Sequence, residues 1–78
     1  MLSLTEENYL KAVLLITASR SEGAGTNELA SHLEVNPATV NNMVKRLKQK
    51  SLLHYEKYAK ITLTEQGRKI ALNVLRKH

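Results

Sequence analysis

Cysteine, phenylalanine, tryptophan and aspartate are all absent from this sequence of 78 residues. Without cysteine there can be no disulfide, no thiolate metal site and no cysteine nucleophile, and its lack agrees with a reducing, cytoplasmic setting. Without Phe or Trp, the core has to be built from Leu, Ile, Val, Ala and a few Tyr. The hydrophobic fraction of 42 % supports one compact core and argues against disorder. No apolar run approaches the roughly 18 residues that span a bilayer. The start, MLSLTEENYL, has no basic stretch ahead of an apolar block, so neither a signal peptide nor a membrane partner is expected. Catalytic groups are scarce as well. His32, His54 and His78 fall in three different elements, and there is no glycine-rich phosphate loop and no His-x-x-x-His pair. The chain is not read as an enzyme.

Positive charge is what the sequence has in excess, at +5 overall. Its distribution says more. Residues 1–34 carry Lys11 and Arg20 against five glutamates, a balance of −3, whereas residues 35–78 carry ten Lys and Arg against Glu56 and Glu65, a balance of +8. Such asymmetry fits a polyanionic partner met by the second half. It also fits a plain solvated basic face, so the positions of the charges have to decide.

Ser3-Leu4-Thr5-Glu6 has the capping-box pattern, and Leu10, Val13, Leu14 and Thr17 follow on one face, predicting a helix of about four turns that ends near Arg20. The serine and glycines of SRSEGAG break it. Thr26 is a suitable cap for a short second helix, Asn27 to Leu33, with Leu29, Ala30 and Leu33 inward. Asn36 then caps a third helix and Pro37 opens it, because proline lacks only an N–H that would have no partner there. Val40, Met43, Val44 and Leu47 fall at i, i+3, i+4, i+7, a single apolar stripe. Two helices joined by about three residues form a helix-turn-helix layout, although no glycine marks the turn. After Lys50 the period changes to the alternation of LLHYEKYAKITL, which predicts two short strands around a tip near Lys57 to Lys60. Thr64 caps a last helix, Glu65 to about Arg76, with Ile70, Ala71, Val74 and Leu75 inward and Gly67 in the first turn, where its propensity cost is smallest. The expected fold is mostly α with a small β-hairpin: one winged helix-turn-helix domain over residues 1–78.

With the third helix turning about 100° per residue, its outer face carries Ala38, Asn42, Lys45 and Gln49, flanked by Thr39, Asn41, Arg46 and Lys48. Asparagine is a mediocre helix former, so two in succession need a reason. Small side chains where a helix nears the bases, with amides beside them, suit the major groove: an amide can bond to adenine N6 and N7, and Ala or Thr methyls can touch thymine. Asn42 is assigned to base reading. Asn41 points sideways, towards either a base or a phosphate. Lys45, Arg46, Lys48 and Lys50 are placed to meet phosphates, as are Lys57, Tyr58 and Lys60 in the wing. Thr26 and Asn27 open a helix whose free N–H groups suit a phosphate.

The stretches LTEENYLKAV, TNELASHLEVNPATVNNMVKRLKQKSLLHYEKY and LTEQGRKIALNVLRKH resemble the N-terminal domain of the diphtheria-toxin-repressor family, the iron- or manganese-dependent transcriptional repressors. The resemblance covers almost the whole chain. It implies a domain that binds a palindromic operator on double-stranded DNA as part of a homodimer, with a bound Fe²⁺ or Mn²⁺ ion favouring the DNA-binding arrangement. It also implies DNA contact at Thr26, Asn27, Asn36, Ala38, Thr39, Asn41 and Asn42. The family's dimerisation domain, with most of its metal ligands, follows the last helix, so this chain, ending at His78, looks like a domain fragment. His78 matches a family ligand. Asn8 and Lys11 stand where family members have ligands on the first helix, so no metal is expected on this fragment alone. The family's Arg-Gly at the wing tip is Ala59-Lys60 here. Two other readings of the same residues stand beside this one: a winged helix used for protein contacts or dimer assembly, and a metal-independent transcriptional regulator.

Overall fold

The computed structural model describes residues 2–20, 22–56 and 60–77. In chain order it contains α1 (Leu4–Thr17), β1 (Ala24–Gly25), α2 (Thr26–Leu33), α3 (Pro37–Gln49), β2 (Leu53–Glu56), β3 (Lys60–Leu63) and α4 (Glu65–Arg76). The strands form one antiparallel sheet in the order β1-β3-β2, with Tyr55 opposite Ile61 and Ala24 opposite Ile61 on its other side. This is a winged helix-turn-helix, as the periodicity predicts. The tip residues Lys57, Tyr58 and Ala59 lie outside the described residues, as does His78.

Local chemistry accounts for most boundaries. The Ser3 hydroxyl accepts the Glu6 N–H at 3.1 Å, and the Glu6 carboxylate accepts the Ser3 N–H at 3.0 Å, completing the capping box. Asn36 Oδ1 accepts the Thr39 N–H at 3.2 Å and Thr64 Oγ1 the Gly67 N–H at 3.0 Å, so both expected caps form. The cap of α2 does not. Gly25 occupies that position, its N–H donating to Glu28 Oε1 at 3.2 Å, and Thr26 becomes the first helical residue with its hydroxyl buried and unpaired. Glu28 takes over the task because Arg20 holds its carboxylate in place, donating through Nη1 at 2.9 Å and also through Nη2.

The turn between α2 and α3 needs no glycine because Glu34 adopts a left-handed conformation, φ 58°, ψ 42°. Ser51, after α3, has φ 62°. At both places two hydrogen bonds close the helix end: Val35 N–H to the Ala30 carbonyl (3.0 Å) with Glu34 N–H to Ser31 (3.3 Å), then Leu52 N–H to Leu47 (3.0 Å) with Ser51 N–H to Lys48 (2.9 Å). This is the Schellman pattern, built twice on a residue with a Cβ.

Leu10, Val13, Leu29, Val40, Val44, Leu47, Leu53 and Ile61 are fully buried and, with Ala71 of α4, draw all four helices into one core with the sheet. Burying each contributes about 1.5–3 kcal/mol against the entropy of ordering the chain. Helix α4 packs chiefly on α1, and its buried stripe is made of small residues, Gly67, Ala71 and Val74. Leu75, expected inward, sits beside that stripe and is 39 % exposed. Gly67 is fixed by approach rather than by its cheap position: a Cβ there would lie 2.0 Å from the Leu52 carbonyl oxygen. Gly23, read as a helix breaker, has a comparable duty, since a Cβ would come within 2.7 Å of the Ile61 carbonyl oxygen where β1 meets β3. Strand β1 itself has no period to betray it in the sequence, being two residues long.

Candidate nucleic-acid interface

Helix α3 is held by its buried stripe of Val40, Val44 and Leu47, with Met43 half-buried beside it. Orientation then follows from helical geometry. Pro37, Ala38, Thr39, Asn42, Lys45, Arg46, Lys48 and Gln49 are all exposed, so the outer face expected of a groove-entering helix is present. Asn36 is exposed too, but its side-chain oxygen is engaged in the cap, leaving the amide N–H₂ outward-going donor capacity. Asn27, at the start of α2, is exposed, whereas Thr26 is half-buried.

The two asparagines separate clearly. Asn42 stands exposed on the crest of the helix. Asn41 is half-buried and lines a cavity of about 360 Å³ between α3 and β2, together with Val44, Lys45, Lys48 and Tyr55. Tyr55 was not singled out from the sequence. Its signal was the strand alternation, which buries Leu53, exposes His54 and turns Tyr55 back towards α3.

The cations separate as well. Lys50 is not free for a phosphate: its Nζ lies 2.6 Å from Glu6 Oε2, on a carboxylate whose side chain is only 6 % exposed. The Lys50 ammonium and the Ser3 N–H lower the Glu6 pKa to about 2. Lys60, at the root of β3, lies 4.0 Å from Glu22. Arg20 is committed to Glu28, whose carboxyl it holds below the usual range. Lys45, Arg46 and Lys48, by contrast, have no carboxylate within ion-pair distance among the described side chains.

The metal ligands implied by family resemblance fare differently. Asn8, Lys11 and His32 line a shallow cavity of about 300 Å³ between α1 and α2. No group of three His, Cys, Asp or Glu side chains able to hold an ion occurs among the described residues. A protonated lysine donates no lone pair and repels a divalent cation, and an amide oxygen is a weak ligand. These residues do not fit a metal ion.

Fold and face define a class: a winged helix-turn-helix whose second helix presents outward small residues, amides and cations without a carboxylate partner among the described side chains. The sequence model described as iron dependent repressor, N-terminal DNA binding domain, matches residues 1–61, and the chain belongs to this family. An uncharacterised HTH-type transcriptional regulator of Methanocaldococcus jannaschii is 38 % identical over 77 residues, covering 99 % of this chain and 62 % of its own length. The HTH-type transcriptional regulator MntR of Lysinibacillus sphaericus is 32 % identical over 72 residues, covering 92 % of this chain and 51 % of its own. The crystal structure of T. acidophilum IdeR superposes on the whole chain and 36 % of its own, with a TM-score of 0.87 and 28 % identity. The chain thus spans about half to three fifths of the length of the curated relatives it matches. No helix among the described residues is long and apolar enough to cross a membrane.

Proposed function

We propose that this chain is the sequence-specific DNA-binding domain of a metal-dependent transcriptional repressor, acting in the cytoplasm as part of a homodimer on a palindromic operator. The observation that carries this reading is the outer face of α3, where Ala38, Thr39 and Asn42 are exposed side by side and Lys45, Arg46 and Lys48 lack carboxylate partners among the described side chains. Ala38, Thr39 and Asn42 enter the major groove and read base edges. Lys45, Arg46 and Lys48 meet phosphates and set affinity. Asn27, Asn36 and the N–H groups opening α2 add backbone contacts; Lys57, Tyr58 and Lys60 extend them along the wing.

The test is selection of a preferred duplex from a random pool, followed by anisotropy titration of that duplex and a scrambled one at two salt concentrations. Tighter binding to the selected duplex, with affinity falling steeply as salt rises, is the expected result. Salt-insensitive or absent binding at micromolar protein overturns the reading and favours a protein-contact role for the winged helix.

Family membership supports iron or manganese as the effector of the whole protein. Asn8 and Lys11 favour a second reading, a metal-independent regulator, because they withhold ligands from α1. Calorimetry with Mn²⁺ and Fe²⁺ on a longer parent protein, run beside operator titrations of that protein with and without a chelator, separates the two: unchanged operator affinity in the chelator leaves the metal-independent reading.

A further inference from the structure

We infer that the cavity between α3 and the wing is the seat of one DNA backbone phosphate, and that Asn41 serves that phosphate and not a base. The inference rests on the DNA-binding reading above and adds a site and a role to it. Three observations carry it.

First, Asn41, Lys45 and Lys48 stand at i, i+4 and i+7 on α3, so they form one wall of the cavity. Val44, fully buried, closes its base, and Tyr55 of β2 forms the opposite wall. The cavity therefore brings amide N–H₂ and ammonium donors to one side and Tyr55, whose phenol can also donate, to the other, with no carboxylate among the described lining residues. An anionic oxygen is the group such a set takes up.

Second, Lys45 and Lys48 are like charges one helical turn apart, an arrangement that opposes the helix until an anion arrives between them. Three cations outside the cavity have a carboxylate near them, Lys50 with Glu6, Arg20 with Glu28 and Lys60 beside Glu22, and among the described side chains Lys45 and Lys48 do not.

Third, the half-burial of Asn41 ties its amide to the cavity side of the helix, whereas Asn42 is exposed on the crest. A base edge approached by Asn42 and a backbone phosphate held by Asn41 lie on adjacent sides of one helix, as the rim of a major groove requires. Seated this way, the phosphate sets how deeply and at what angle α3 enters the groove, which makes Asn41 and Tyr55 positioning residues for the reading by Asn42.

The test uses Asn41→Ala and Tyr55→Phe, the second removing one oxygen and leaving the ring. Both variants and the parent chain are titrated by anisotropy with the selected duplex and the scrambled one. Each variant is expected to lose about tenfold in affinity on both duplexes alike, the value of one hydrogen bond to a charged group, with the salt slope unchanged. Lys48→Ala should lower both affinities and flatten the slope by about one unit. Duplexes with single phosphates replaced by neutral methylphosphonates then locate the contact. One replacement should weaken the parent chain while costing Asn41→Ala nothing further, the signature of a shared interaction. If Asn41→Ala weakens the selected duplex and spares the scrambled one, Asn41 reads a base and the phosphate seat is wrong. If both variants bind as the parent does, the cavity is not part of the interface, although the DNA-binding reading survives. If the parent binds neither duplex, both readings fall together.

Discussion

Lys50, just past the end of α3, places its Nζ 2.6 Å from Glu6 Oε2 in the first turn of α1, across 44 residues of sequence. The same carboxylate caps the Ser3 N–H through its other oxygen. One glutamate therefore fixes the start of the first helix and the end of the third. A basic residue that the sequence assigns to the DNA-binding surface is a structural strut.

The strut gives the fold an acid limb. The Glu6 pKa is depressed from the ordinary carboxylate value of 4.5 to about 2. A carboxyl more acidic when folded binds fewer protons than in the unfolded chain. Its contribution is accordingly complete above pH 4.5 and is lost as pH falls towards 2. Glu6→Gln should lower the melting temperature at pH 7 and leave a shallower decline between pH 4.5 and 2 than in the parent, followed by circular dichroism. Parallel melting curves for the two proteins across that range would rule the strut out.

Asn42→Ala should cost about 1–3 kcal/mol on the selected duplex and almost nothing on a scrambled one, because the amide contributes discrimination and not charge. Lys45→Ala should weaken both duplexes alike and reduce the slope of log affinity against log salt by about one. Equal losses for Asn42→Ala on the two duplexes would contradict base reading.

Gly67→Ala should destabilise the fold by about 1–3 kcal/mol or more, the scale of forcing atoms into a closed contact, since the added methyl lands on the Leu52 carbonyl. Denaturant unfolding measures it. A control at exposed Asn73, Asn73→Ala, should shift the midpoint little or upward, as alanine is the better helix former. A Gly67→Ala protein as stable as the parent would show that α4 can lift away freely.

Glu34→Gly should stabilise the domain by about 0.5–1 kcal/mol, because a left-handed conformation costs a residue with a Cβ more than glycine loses in backbone freedom. Ser51→Gly should act in the same direction and independently, as the two turns close different helices. Chemical denaturation midpoints that fall for both variants would refute the argument.

How much of this was legible in the sequence depends on the range of the interaction. The caps at Ser3, Asn36 and Thr64 and the buried stripe of α3 are written within one or two helical turns, and periodicity reads them directly. Thr26 misleads because the decisive partner of its neighbour Glu28 is Arg20, eight residues away. Lys50 misleads for the same reason at longer range. Glu34 and Ser51 carry no glycine signal at positions that ordinarily advertise one. The outer face of α3 and the sideways lean of Asn41 followed from helical phase alone, but the cavity beside Asn41 did not. It depends on where Tyr55 falls, and that is set by strand pairing.

The peptide of Leu52 has a mechanical consequence. Its N–H closes the end of α3 on Leu47, its carbonyl accepts the Thr64 N–H at 3.1 Å, and the bare face of Gly67 rests against that same oxygen. Next to it, the Ser51 carbonyl takes the Thr64 hydroxyl at 2.8 Å. The end of α3, the root of the wing and the start of α4 thus meet at one peptide. A tilt imposed at the far end of α4 is carried through that joint like a lever through its fulcrum. Such a tilt would shift the end of α3 and the strand ends at Leu52 and Thr64 together.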